Sequence, residues 1–360
     1  MLTYLNCSKK IEIFIKLMPL FIFSSTGLAS QPSEIGALQI CYLEQMENSG
    51  GNTTVDAIKE NCGVGEITPT INEQEILPAL SGSPRSDSLL LQRIFREDAV
   101  LSDSVQLLPH KRNYVLPASY STNPNRTPYA IAYGDAVHDD TLDKTEVKFQ
   151  ISLKFPIASE LFLPQDQISF GFTSLSFWQA YNSEISAPFR ETNYEPEVFY
   201  AAPLNWRPLN VDSTLFSIGF AHQSNGQGGS LSRSWNRINT DFVWEKGDFV
   251  FGLRSWWRIS EDKKLDSASL SQTDNPDLEE FIGRFEFNTI YRTNSHELGV
   301  VLRQSFDSSS KNYLQIDWTF PLWGKIRGYA QYVNGYGESL IDYNENIERF
   351  SIGFLLSDLL

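Results

Sequence analysis

Long segments of this chain alternate strictly between apolar and polar residues, which confines most of it to β-strands. Val147, Phe149, Ile151, Leu153 and Phe155 form one row, with Lys148, Gln150, Ser152 and Lys154 between them. Leu314, Ile316, Trp318 and Phe320 interleave with Gln315, Asp317 and Thr319, and Phe350, Ile352, Phe354 and Leu356 with Arg349, Ser351 and Gly353. Phe281, Phe285, Phe287 and Tyr291 do the same with Arg284, Glu286 and Asn288. Successive side chains of a strand point to opposite faces, so each segment has one apolar face and one face of large polar groups. A membrane barrel with lipid outside and a polar lumen has that pattern. A soluble β-sandwich alternates as well, so alternation alone leaves both open.

Strand count, strand length and loop asymmetry favour the barrel. Strands are expected over 113–121, 145–157, 167–181, 192–206, 213–225, 232–246, 248–260, 279–293, 296–308, 311–322, 325–336 and 347–358. Twelve is an even number, as an outer-membrane barrel requires, and short turns such as Glu245-Lys246-Gly247 alternate with long loops such as Glu261 to Asp277. Trp206, Trp244, Trp318 and Trp323 fall near strand ends, where interfacial girdles form. The fold class expected is all-β: a twelve-stranded antiparallel transmembrane β-barrel with a small N-terminal extension.

The start of the chain fits export. Lys9, Lys10 and Lys16 precede an apolar core, Leu17 to Phe23, and small residues, so 1–30 reads as a signal peptide cleaved after Ala29 or Ser30. That core is shorter than the ~20 residues a spanning helix needs. Residues 31–112 form an extension: helical patterns at Ala37 to Met46 and Thr54 to Asn61, then a flexible arm around Ser81-Gly82-Ser83-Pro84-Arg85, either poorly ordered or packed on the main domain. Cys41 and Cys62 are expected to pair in an oxidising compartment, the alternative being two unrelated thiols. Residues 113–360 hold all eight tryptophans and would be the barrel. The net charge of −15 argues against a nucleic-acid partner.

One hairpin carries chemistry. His222-Gln223-Ser224-Asn225-Gly226 leads, twelve residues after Ser224, to Asn236 within Ser232-Arg233-Ser234-Trp235-Asn236-Arg237. His222 and Ser224 share parity with the apolar residues Phe216, Ile218 and Phe220, and Asn236 with Ile238, Thr240, Phe242 and Trp244. In a barrel this sets a base, a nucleophile and an amide toward lipid, as an enzyme acting on the bilayer would need. An imidazole can activate the serine hydroxyl, an amide can orient the imidazole, and the Gly226 N–H is a candidate oxyanion donor. The spacing by itself also suits an ordinary polar hairpin tip. There is no G-x-S-x-G elbow, and His110, His138 and His296 have no partners at metal spacing.

The hairpin resembles the active-site hairpin of the outer membrane phospholipase A family. Asn182-Ser183-Glu184 through Glu195-Pro196, Asp274-Asn275-Pro276-Asp277 and Tyr336-Gly337-Glu338 through Tyr343-Asn344 agree in order with it. The resemblance spans about 113–360. It implies an outer-membrane barrel that hydrolyses phospholipid acyl esters (A1, A2 and lysophospholipase activity), needs calcium and acts as a homodimer. Carried over, Ser224 is the nucleophile, His222 the base and Asn236 the orienting amide. Calcium would be held by Ser232, the Gln227 carbonyl and Ser186 contributed by a second copy, with Asp274 serving away from the dimer. Gln227 replaces a basic residue, Gly229 an aspartate, and Leu360 a terminal aromatic. The rival reading is a passive barrel, a pore or structural protein whose polar rows line the lumen.

Overall fold

The computed structural model describes Ser88, Leu90, Arg93 and residues 107–357, less 134–141, 185–187, 205, 207, 261, 264–271, 274, 306–310 and 325. The expected signal, helical hairpin and Cys41–Cys62 bridge lie outside the described residues, as do Ser186 and Asp274. Twelve strands form the wall: β1 Asn113–Ser121, β2 Thr145–Ser159, β3 Gln167–Trp178, β4 Phe189–Leu204, β5 Ser213–Ser224 and β6 Ser234–Lys246. They continue with β7 Phe249–Ile259, β8 Phe285–Thr293, β9 His296–Gln304, β10 Asn312–Trp323, β11 Ile326–Gly335 and β12 Ile347–Ser357. Each pairs antiparallel with its sequence neighbours, and β12 pairs with β1. The sheet is therefore closed, which removes the unpaired edges that hydrocarbon would not tolerate.

The alternation resolves as expected into two faces. Ile151, Phe172, Val198, Ile218, Phe220, Ile238, Leu298, Ile316, Phe350 and Phe354 are exposed on the outer belt. Between them Lys148, Glu195, Arg237, Asp317 and Arg349 are buried in the lumen. There they pair: Lys111 with Glu195 at 2.8 Å, Arg237 with Glu195 at 2.9 Å, Arg112 with Asp317 at 2.9 Å and with Glu297, and Arg349 with Glu146 at 2.9 Å.

Three features depart from the expected strands. The strand expected over 279–293 begins only at Phe285, because Leu278–Ile282 forms a short helix, here α2. Phe281 and Phe285 are four apart, a spacing that suits both a strand face and one helix face. Leu278 and Ile282 bury that helix face against Trp235, Trp256, Leu340 and Tyr343, and Gly283 at φ +76° ends it. A helix preceding it in the chain, α1 Thr127–Tyr133, lies within the loop after β1. A two-residue strand, Leu108–Pro109, pairs with Leu153 and Lys154 of β2 and extends the sheet below β1. At that break the Asn113 amide bonds the backbone of Ser152, standing in for a missing ladder bond.

The loops sort by rim. The connections β6–β7, β8–β9 and β10–β11 are short and meet one rim, whereas β1–β2, β3–β4, β5–β6, β7–β8 and β11–β12 are joined by longer connections at the other. The hairpin of interest, β5–β6, closes at the long-loop rim.

Candidate active site

Register places the three outward residues together. His222 lies opposite Asn236, Gln223 opposite Trp235 and Ser224 opposite Ser234. Ile218 and Phe220 are exposed while Ala221 is fully buried, so His222 and Ser224 continue the lipid-facing row and Asn236 stands beside them. The His222 Nδ1–H donates to Asn236 Oδ1 at 2.8 Å. With Nδ1 protonated, Nε2 presents its lone pair. Ser224, two residues along the same face, has its Cα about 7 Å from that of His222. Among the described residues the bond formed is the one between imidazole and amide; Ser224 shares the face without a hydrogen bond to the ring.

Beyond Ser224 the chain enters the loop 225–233. Gly226 adopts φ +65°, which a side chain would strain, and the Tyr194 ring lies 3.4 Å from where its β-carbon would stand. Tyr194 is also the register partner of Ser224 on β4. Gln227 is exposed and Ser232 half-buried. A 3₁₀ turn, Gly229–Leu231, connects them and packs against α1. Arg233 NH1 donates to the carbonyls of Ser230 and Ser232 at 2.9 and 2.7 Å, bracing the returning limb. Among the described residues no three His, Cys, Asp or Glu side chains group as a metal site. The expected ligands within the described residues, Gln227 and Ser232, are instead a carbonyl and a hydroxyl oxygen, which calcium accepts. Gln227 and Ser232 offer such oxygens from one braced loop beside Ser224, so the residues present fit that ion.

The inner side of the hairpin was not legible as functional. Gln223 Oε1 accepts from Trp235 Nε1 at 2.8 Å and from Arg237 NH1 at 3.2 Å, and the Arg237 guanidinium stacks 4.2 Å over the Trp235 ring. Asn275 Oδ1 accepts from the Ser234 N–H at 3.2 Å, and Asn225 holds the loop from within. Parity was the available signal: odd-numbered residues of β5 and β6 point inward, so Asn225 follows an outward Ser224 and turns to the lumen.

Comparison with known proteins bears on the family and the fold. A model of the phospholipase A1 family matches residues 90–356. The phospholipase A1 of Escherichia coli strain K12 is 30% identical over 290 residues, covering 81% of this chain and 92% of its own. The outer membrane phospholipase A structure from E. coli is similar at TM-score 0.63 and 32% identity, covering 71% of this chain and 100% of that one. The crystal structure of a Salmonella typhi outer membrane phospholipase dimer with bound calcium matches at TM-score 0.63 and 30% identity, over 71% and 93% of the two chains. A closed twelve-stranded barrel with an apolar outer belt is an outer-membrane protein, and the chain belongs to the phospholipase A1 family.

Proposed function

We propose that this protein hydrolyses acyl esters of phospholipids at the outer face of its barrel, with both A1 and A2 and lysophospholipase activity. The observation that carries the reading is the 2.8 Å bond between His222 Nδ1 and Asn236 Oδ1, on the lipid-facing side and beside Ser224. In the acylation step Ser224 Oγ attacks the ester carbonyl carbon while His222 Nε2 takes its proton. The Gly226 N–H stabilises the oxyanion. Collapse breaks the ester C–O bond, and the imidazolium returns the proton to the departing alcohol, leaving an acyl-serine. Water, deprotonated by His222, then attacks that ester; the fatty acid leaves and Ser224 recovers its proton. The exposed row of Phe220, Ile218, Val198 and Ile238 is an apolar bed for the acyl chain.

Calcium, when bound by the Gln227 carbonyl and Ser232, would supply positive charge near the oxyanion. The S. typhi relative is a dimer with bound calcium, which supports a calcium site in a dimeric enzyme; Ser186 would complete that site from a second copy, and Asp274 would serve within one chain. Gly229 leaves the loop without one acidic oxygen, so dependence on the second copy is expected to be strong.

The test is ester hydrolysis by the purified protein in detergent as calcium is titrated, with chemical crosslinking in parallel. Activity and crosslinked dimer should rise together, and Ser224→Ala should lower turnover about 10⁴-fold or more while the barrel keeps its heat-modifiable mobility. Full turnover by folded Ser224→Ala removes Ser224 from the mechanism. Full activity in a monomeric sample removes the second copy.

A further inference from the structure

Asn225 is buried, 3% exposed, at the mouth of the lumen directly behind Ser224. Its amide uses its full hydrogen-bonding capacity of two donors and two acceptor positions. Nδ2 donates to the Leu231 carbonyl at 2.8 Å and to Glu191 Oε2 at 3.2 Å. Oδ1 accepts from the backbone N–H groups of Gln227 at 3.3 Å and Arg233 at 2.9 Å. The backbone N–H of Asn225 donates to the Arg233 carbonyl at 3.0 Å. One side chain thus ties the outgoing limb of the loop, at Gln227, to the returning limb, at Leu231 and Arg233.

Glu191 anchors this knot to the barrel. It is 1% exposed on β4, and its second oxygen accepts from the Ile341 N–H at 3.2 Å, in the loop between β11 and β12, and from Asn193 Nδ2. The backbone between the nucleophile and the Gln227 carbonyl is therefore referenced to β4 and to a distant loop through a single amide. Strand alternation makes the arrangement possible: Ser224 faces lipid and its neighbour faces the lumen.

We infer that Asn225, held by Glu191, is a positioning residue for this reaction, fixing the Gly226 N–H and the Gln227 carbonyl relative to Ser224 Oγ. The inference rests on the roles proposed above for Ser224 and Gly226. Asn225 touches no reacting atom. Loss of the knot moves the oxyanion donor off its target, and a misplacement of about 1 Å costs roughly 10²-fold in turnover. Only Asn supplies this pattern. Asp keeps both acceptor bonds but sets an anionic oxygen against Glu191 Oε2 and the Leu231 carbonyl.

The experiment measures kcat and KM for ester hydrolysis in detergent, with heat-modifiable mobility reporting the folded barrel. Asn225→Ala should lower kcat by roughly 10²-fold with KM changed less than about threefold. Asn225→Asp should be impaired as well, and Glu191→Gln in the Asn225→Asp background should recover part of kcat. In that pair the new glutamine amide donates to the new carboxylate, restoring the link with reversed polarity. A role confined to stability predicts no rescue in kcat and a loss that follows the folded fraction. Wild-type kcat in folded Asn225→Ala, or an Asn225→Asp defect that Glu191→Gln leaves unchanged, overturns the inference. Ser224→Ala in the same assay separates the failures: if it is inactive while Asn225→Ala is normal, the positioning role alone falls. If Ser224→Ala is active, the underlying reading falls with it. Should Asn225→Ala not fold, the Asn225→Asp and Glu191→Gln pair decides.

Discussion

The group that orients His222 is a neutral amide, and its surroundings explain why. Asn236 stands on the outer face above the exposed Ile238, where an ionised carboxylate would lose most of its hydration and a neutral amide loses much less. The amide still accepts the Nδ1–H and so selects the tautomer that leaves the Nε2 lone pair available for the base role proposed for it. It contributes less to the imidazolium than an acid would. Asn236→Ala should therefore reduce turnover by less than the ~10²–10⁴-fold that general-base catalysis supplies, and by less than Ser224→Ala, in a barrel of unchanged mobility. Equal losses in the two folded variants would show that Asn236 does more than orient. At this scale the sequence was informative about His222, Ser224 and Asn236, because parity with an apolar row is a local property. It said little about Asn225, which stood there only as a neighbour of Ser224. That side chain's role depends on Glu191, Leu231 and Arg233, partners 34, 6 and 8 residues away, and no local pattern records such contacts.

At the level of elements, the twelve strands were legible because each needs only period-two alternation, which the membrane enforces on every one. What escaped was structure set by tertiary packing. Helix α2 was hidden by the even spacing of Phe281 and Phe285, and α1 is too short for periodicity to declare itself. The arm before β1 is a further case, since its composition suits either a poorly ordered segment or an arm packed on the main domain. Its described residues are held at the short-turn rim. Ser88 Oγ donates to Glu245 Oε2 at 2.6 Å, the Leu90 N–H donates to the same oxygen at 3.3 Å, and both residues are buried. Arg93 donates onward to the Pro109 carbonyl at 3.1 Å, next to the short strand that joins β2. Hydrogen bonds to a charged acceptor contribute about 1.5–3 kcal/mol each. Glu245→Ala should thus loosen the arm and speed trypsin cleavage at Arg93 by about tenfold, read by mass spectrometry, with the barrel's heat-modifiability intact. Unchanged cleavage would place the anchoring elsewhere in the arm.

Across the whole molecule, the long-loop half of the lumen is crosslinked by one chain of buried ion pairs. Lys148 meets Glu338 at 2.9 Å, Glu338 meets Arg349 at 2.8 Å, Arg349 meets Glu146 at 2.9 Å, Glu146 meets Arg190 at 3.0 Å and Arg190 meets Asp342 at 3.0 Å. These residues come from β2, β4, β12 and the loop 336–346, the same loop whose Ile341 N–H holds Glu191. The polar rows that would line a pore are in this region spent on holding strands and loop together beneath the hairpin. Burial alone would raise the Glu338 carboxyl, but Arg349 and Lys148 outweigh it and hold it down to about 2. Its unfolded value is about 4.3, so the unfolded chain binds the extra proton first. The stabilisation is complete above about pH 4.3 and is lost as the pH falls through about 2. Removing one partner of a buried pair costs about 3–5 kcal/mol, so Arg349→Met should unfold at markedly lower denaturant concentration at neutral pH. As the pH falls through that window, Glu338 takes up its proton in the wild type and the pair loses its charge. The two stability curves, followed by the heat-modifiable shift or by tryptophan fluorescence, should then converge toward low pH. Curves that stay parallel from neutral pH to about pH 2 would mean that the Glu338–Arg349 pair does not hold the loop-side half of the barrel together.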